Sequence, residues 1–519
     1  MFDLFDYLPL GFAVALSFQN LVYCFAGVAL GTLIGVLPGI TPLVAIGMLF
    51  PLTFTLPPIP SLIMLAGIYY GAQYGGSTTA ILVNLPGETA SAVTCIDGYQ
   101  MARQGRAGPA LAIAALASFF AGCVGTLLIA LLGPPLGAWA LKFGPWEYCA
   151  LMLMGLVGSA VLAHGDAVKG LAMVALGLLF GIVGTDVNSG IPRFAFDVPS
   201  LFDGIGFTVI AVGLFAVAEI ASNLDSSEPR EVSAGRIQNL MPSRHDLVDS
   251  AWPMVRGTAV GSAFGVLPGT GPALSSFAAY MLEKKIAASP ERFGAGAIEG
   301  VAAPEAANNA AAQTGFIPTL TLGIPGSAVM TLMVGAMMMH GFAPGPNAIV
   351  EKPELFWGIV ASMWLGNLML VVLNLPLVGL WVSLLKVPYR WLFPAIVMFC
   401  CIGNYSVNNN PVDVYLCAAL GALGYVLAKL DCEPAPLLLG YVLGPLFEEH
   451  LRRAMLLGRG DPVLFVTRPI SLAFVLGTAL LFVAMLWPAL RRPANRGQSP
   501  VSPTGDKSGK SSTDLDFTA

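Results

Sequence analysis

The stretch GTLIGVLPGITP at 31–42 returns as GSAFGVLPGTGP at 261–272, an offset of 261 − 31 = 230 residues. Seven of the twelve positions are identical, among them Gly35-Val36-Leu37-Pro38-Gly39 against Gly265-Val266-Leu267-Pro268-Gly269. A second proline–glycine pair follows in each half, at Asn84-Leu85-Pro86-Gly87 and at Gly323-Ile324-Pro325-Gly326. The spacing between first and second pair is 86 − 38 = 48 residues in one half and 325 − 268 = 57 in the other. The halves are therefore related without being copies. Proline removes a backbone donor and glycine frees the backbone, so each pair predicts a break in an apolar helix.

The material around these breaks is membrane material. Of the 519 residues, 56% are hydrophobic and 11% charged, and the mean hydropathy is +0.76. A soluble domain carries roughly a quarter charged residues. A chain this apolar needs lipid to cover it. Apolar runs at 11–37, 109–133, 146–164, 204–221, 355–382 and 470–490 extend over nearly its whole length. The reading is an all-α integral membrane protein with roughly 12–15 membrane-embedded segments, at about 20 apolar residues per crossing. The 59 glycines and 39 prolines suit broken, re-entrant helices and close helix contacts. The 8 cysteines form no Cys-x-x-Cys pair and read as small buried hydrophobes. Nothing in the charge distribution suggests a nucleic-acid surface.

Positive charge orients the halves. No Lys or Arg precedes Arg103, whereas Arg230, Arg236, Arg244 and Arg256 crowd the polar stretch 222–256. The first helix is expected to start outside and to stay as an anchor, with the linker inside. The halves then have opposite topology, the pattern of inverted repeats in secondary transporters. Arg452, Arg453 and Arg459 fall outside under this scheme and are its main exception. The expected organisation is a first membrane repeat at 1–221, a polar cytoplasmic linker at 222–256, a second repeat at 257–492 and a disordered tail at 493–519. The tail's Gly505-Asp506-Lys507-Ser508-Gly509-Lys510-Ser511 misses a P-loop by one residue and follows no strand, so no nucleotide site is expected.

Two polar clusters adjoin the second breaks. The first is Tyr74-Gly75-Gly76-Ser77-Thr78-Thr79, continuing through Asn84 and Pro86-Gly87-Glu88. Glycines admit a ligand to the backbone, hydroxyls and amides bind its oxygens, and a helix restarted at a break attracts a carboxylate. Tight packing of small residues accounts equally for Gly75 and Gly76. The second cluster runs from Glu299-Gly300 through Pro304-Glu305 and Asn308-Asn309 to Thr314 and Pro325-Gly326-Ser327. Carboxylates and amides within an apolar stretch are expensive and mark functional sites. Glu305 and Glu299 are the candidates for ion coupling, with Pro304 expected to interrupt any helix between them. Oxygens near Asn308 and Thr314 suit Na⁺, whereas a buried Glu suits a proton. His164, His340 and His450 are isolated, and no Ser/His/Asp or Cys/His arrangement calls for an enzyme. Pro38, Gly39, Pro268 and Gly269 are expected to be helix-breaking positions.

GVLPGITP, YGGSTTAILVNLPGE, GVLPGTGPALSSF, EGVAAPEAANNAAAQTGFIPTLTLGIPGS and HGFAPGP together resemble the large permease subunit of the tripartite tricarboxylate transporters, the TctA type, over about residues 10–490. The resemblance implies a multi-pass permease of the bacterial inner membrane. It also implies a small TctB-type membrane subunit and a periplasmic TctC-type solute-binding protein as partners. Uptake of citrate-like di- and tricarboxylates would be driven by Na⁺ or H⁺ and need no cofactor. An ion channel or membrane scaffold without alternating access is the competing reading, which paired breaks disfavour.

Overall fold

The computed structural model describes residues 4–37, 40–162, 167–186, 188–225, 240–267, 271–384 and 389–491. Within them the chain is almost wholly helical, and the only strands are the antiparallel pair Gly184–Thr185 and Pro192–Arg193 in one connecting loop. Five described helices are long and apolar enough to cross a membrane: Phe18–Gly35, Ala107–Ala140, Phe207–Leu224, Pro353–Asn374 and Pro411–Lys429. Shorter apolar helices, Pro42–Phe54 and Ala328–Met339 among them, lie between these. The protein is an all-α membrane protein. The first break of each half, Pro38-Gly39 and Pro268-Gly269, lies outside the described residues, as do His164 and the tail.

Eight helices frame the polar interior: α1 (Phe18–Gly35), α2 (Pro58–Val83), α3 (Ala92–Arg103), α4 (Ala107–Ala140), α5 (Arg244–Val266), α6 (Glu299–Thr314), α7 (Ala328–Met339) and α8 (Pro353–Asn374). Two seams of the same construction organise them. On α1, a Cβ at Gly27, Gly31 or Gly35 would stand 2.2–2.4 Å from the carbonyl oxygens of Met64, Ile68 and Ala72 on α2. On α5, a Cβ at Gly257, Gly261 or Gly265 would stand 2.2–2.5 Å from the carbonyls of Ala303, Ala307 and Ala311 on α6. The glycines repeat at an offset of 257 − 27 = 230 and their partners at 303 − 64 = 239. The sequence repeat is thus a repeat of contacts: backbone lies on backbone, an approach only glycine permits.

The expected interruption at Pro304 does not occur. Helix α6 runs from Glu299 to Thr314 straight through it. Pro304 lies within the first two turns, where its missing N–H forfeits one intrahelical bond, and its own carbonyl accepts the Ser276 hydroxyl at 3.2 Å. Contacts with α5, α4 and α3 hold the helix on several sides.

The second breaks share a backbone path. Helix α2 stops at Val83 with Asn84 at φ 56°, ψ 29°, and the short helix Phe316–Leu322 stops with Gly323 at φ 73°, ψ 19°. Four residues on, Glu88 (φ −149°, ψ 165°) and Ser327 (φ −156°, ψ 169°) are both extended and open the next helical segment. Both pairs are 239 residues apart (323 − 84 and 327 − 88). Asparagine is among the few non-glycine residues that enter the left-handed region at low cost, which explains why Asn84 can replace a glycine here.

Away from this interior, ion pairs fasten the helix ends. Arg106 before α4 pairs with Asp246 at the start of α5, where Ser243 and Asp246 form a capping box. In the loop after Gly181, Asp186 faces Arg193 and Arg452, and both arginines also pair with Glu448. The Asn188 backbone N–H and the Ser189 hydroxyl, then Arg452 and Arg193, hold the Asp186 carboxyl below its usual range.

Candidate functional site

Glu305 is fully buried on α6, and its carboxylate accepts hydroxyls from three other helices. The Ser77 Oγ of α2 donates to Oε2 at 2.7 Å, the Thr94 Oγ1 of α3 to Oε1 at 2.5 Å, and the Ser118 Oγ of α4 to Oε2 at 3.4 Å. Asn309, one turn along α6, donates to Ser118 Oγ at 2.7 Å and to the Glu305 carbonyl at 3.1 Å. Asn308 turns the other way and donates to Glu88 Oε1 at 2.8 Å, joining α6 to the break after α2. Among the described residues no Lys or Arg pairs with Glu305 or Glu88. Hydroxyls and amides stand in the place of a counter-charge.

That arrangement leaves acceptors open. The Oδ1 atoms of Asn308 and Asn309, both polar atoms of Gln73, Gln313 and Asn367, and the Tyr74 hydroxyl are buried without a hydrogen-bond partner. An unpartnered buried polar atom costs roughly 1–3 kcal/mol, so these are groups that a bound water, ion or ligand would satisfy. A buried carboxylate with amides and hydroxyls about it and no base suits a small hard cation or a proton better than a bare anion. A small cleft reaches this centre and is lined by Tyr74, Ser77, Thr78, Ser118 and Asn374 among aliphatic side chains.

The structure sorts the residues singled out in the sequence. Ser77, Asn309 and Glu305 meet in one hydrogen-bonded group, Asn308 bonds Glu88 instead, and Thr78 lines the cleft. Gly75 is committed to the seam, where its Cβ would meet the Thr32 carbonyl at 2.6 Å. Gly76 faces Gly87 across the break; a Cβ on Gly87 would stand 2.4 Å from the Gly76 Cα. Thr79 turns back to the Gly76 carbonyl at 2.8 Å. Asn84, Pro86 and Gly87 form the break itself, as Pro325, Gly326 and Ser327 do in the second half. The Thr314 hydroxyl is held by the Ala310 and Ser262 carbonyls and fills the space over Gly265, within the seam. Glu299 pairs with Arg292 at 3.1 Å and takes no part in the Glu305 group. Sequence reasoning missed Thr94 and Ser118. Neither stands beside a proline–glycine break, and only the fold brings each to Glu305.

A multi-pass helical bundle built on two glycine seams, with a buried carboxylate between its breaks, is the construction of a membrane transporter. The chain belongs to the tripartite tricarboxylate transporter TctA family, whose defining pattern matches residues 21–439. This is a family of transporters, not of enzymes, and its members work as the large subunit alongside partner subunits. The chain is 60% identical to the uncharacterized 52.8 kDa protein in the TAR-I ttuC' 3' region of Agrobacterium vitis, over 95% of this chain and 98% of the relative. It is 62% identical to an uncharacterized protein in the TAR-II ttuC' 3' region of the same organism, over 44% of this chain and 96% of that relative. No solved structure matches the chain.

Proposed function

We propose that this protein is the permease of a binding-protein-dependent secondary transporter in the bacterial inner membrane. It takes up organic di- or tricarboxylates of the citrate kind, by symport with Na⁺ or H⁺. A small membrane subunit and a periplasmic solute-binding protein are its partners. One observation supports this reading above the rest: Glu305, buried and hydroxyl-bound between the two breaks without a basic partner. A group so placed changes its interactions when it gains or loses a cation, which is what coupling requires.

The reading takes the two halves as inverted repeats, so that their breaks approach from opposite sides of the membrane. Arg452, Arg453 and Arg459 are the exceptions to the charge rule, and the first two pair with Glu448 and Glu449 at 2.6 and 2.7 Å. The test is uptake of labelled citrate and shorter dicarboxylates into vesicles containing the permease and small subunit, with the binding protein supplied outside. Uptake should follow an imposed Na⁺ or H⁺ gradient without ATP. Uptake indifferent to both gradients overturns the reading.

A further inference from the structure

The two second breaks have the same backbone and opposite electrical character. After the first, the residue opening the next helical segment is Glu88. Its carboxylate takes the Asn308 amide at 2.8 Å, three residues along α6 from Glu305. After the second, the equivalent residue is Ser327, and the sequence from Phe316 to Met339 contains no charged residue. The pairing is repeated as well: Asn308 faces Glu88, and Tyr69, its equivalent at 308 − 239 = 69, places its hydroxyl beside Ser327. Gln73, one turn further along α2, lies beside that same hydroxyl, and its buried amide makes no hydrogen bond of good geometry.

Helix α7, of 12 residues, begins at this neutral break. Its first N–H groups have no carbonyl in the preceding turn, and Ser327 Oγ satisfies only that of Met330, at 3.3 Å. A helix start with a free amide and two hydroxyls beside it offers donors to a carboxylate and no competing negative charge.

We propose that the two breaks divide the work of the site: the Glu88–Glu305 break holds the coupling cation, and the Ser327 break, with Tyr69 and Gln73, receives a carboxylate group of the substrate. The assignment rests on the functional reading above and sharpens it. The cleft agrees with it, because it leads to Ser77 and Ser118, the donors on Glu305, and no basic side chain lines it. Such a passage offers a substrate carboxylate no counter-charge on its way to Glu305.

The test uses the purified permease with its small subunit and follows thermal unfolding in detergent. Na⁺ and pH are titrated alone, and malonate, succinate, tartrate and citrate are titrated at saturating Na⁺. Ser327→Asp keeps a good helix cap and so should fold, but it places a negative charge where the substrate carboxylate would sit. It should raise the midpoint for the stabilising carboxylate more than about tenfold while leaving the Na⁺ and pH midpoints within about twofold. Gln73→Leu should act in the same direction. Glu88→Gln should do the reverse, shifting the cation or pH response and sparing the intrinsic carboxylate midpoint at saturating cation. Equal shifts on both axes, or the opposite pattern, overturn the division of work and leave the functional reading standing. A wild-type protein stabilised by none of the four carboxylates overturns both.

Discussion

The Asp97 carboxylate and the Gly296 backbone N–H meet at 2.8 Å across the two halves of the chain. The same oxygen, Oδ1, takes the N–H groups of Gly294 and Ala297 at 2.8 and 2.9 Å, and Oδ2 takes the Tyr280 hydroxyl at 2.9 Å. A loop of the second half wraps a buried acid of the first, with backbone amides serving as its counter-charge. The loop leads directly into α6, so this clamp sets where Glu305 and the two asparagines begin. Asp97→Asn removes the charge and keeps the shape. It should lower stability by roughly 1.5–3 kcal/mol, the weight of hydrogen bonds to a charged group. Thermal unfolding in detergent measures it, and an unchanged midpoint would show that the clamp is idle.

Glu305→Gln should leave insertion and assembly intact and reduce gradient-driven uptake by at least about tenfold, roughly 1.4 kcal/mol. The residual uptake should no longer respond to the size of the ion gradient. Vesicle uptake at several imposed gradients checks this. A variant that retains the wild-type gradient response removes Glu305 from the coupling mechanism.

Asn308→Ala should weaken transport and leave folding nearly intact, because it frees Glu88 from its amide partner. Thr94→Val and Ser118→Ala each delete one hydroxyl from Glu305 and should lower uptake in the order of their distances, Thr94 more than Ser118. Each buried hydrogen bond is worth about 0.5–1.5 kcal/mol, or more to a charged acceptor. Equal uptake in all three variants and wild type would show that the group is ordinary packing.

Gly31→Ala and Gly261→Ala should be equivalent lesions. Each puts a methyl carbon 2.2–2.4 Å from a helix carbonyl that has no side-chain freedom to yield. Overpacking typically costs 1–3 kcal/mol, and backbone obstruction belongs at the upper end, about 3 kcal/mol or more. Membrane-inserted yield and monodispersity measure it. Normal behaviour of either variant would mean that the seam can open.

Acid should loosen the loop around Asp186 only well below neutrality. Its carboxyl is held below the usual range by the Asn188 N–H, the Ser189 hydroxyl and two arginines. A depressed folded-state value gives stability that is present above the unfolded pKa, about 3.9, and is lost as pH falls through the folded value. Hydrogen exchange at 184–193 should therefore be flat from pH 7 to about 5 after correction for intrinsic rates, in wild type but raised throughout in Asp186→Asn. A loop that loosens near pH 6 would contradict this.

Much of the architecture could be read from the sequence because its two sources are local. Hydropathy marks the helices, and the 31–42 and 261–272 match carries the very glycines, Gly31, Gly35, Gly261 and Gly265, that build the seams. The Glu305 group was only half visible. Ser77, Asn308 and Asn309 announce themselves by polarity beside a break, whereas Thr94 and Ser118 reach Glu305 from helices that meet it only in three dimensions. Gly75 and Thr314 read as ligand residues from their place near a break, and the structure adds that both fill space between helices, which sequence does not announce. Pro304 misled because a proline near a helix start forfeits little, and composition alone does not say where the helix starts.

The seams carry a mechanical consequence. Where α1 lies on α2 and α5 on α6, the glycine positions put carbonyl against Cα, with few rotamers there to repack. Neither pair can slide internally by small steps without separating altogether. Each pair is thus a stiff lever, and any change of shape must turn at its ends, where Asn84 and Gly323 already hold the backbone in a conformation that helices cannot pass through.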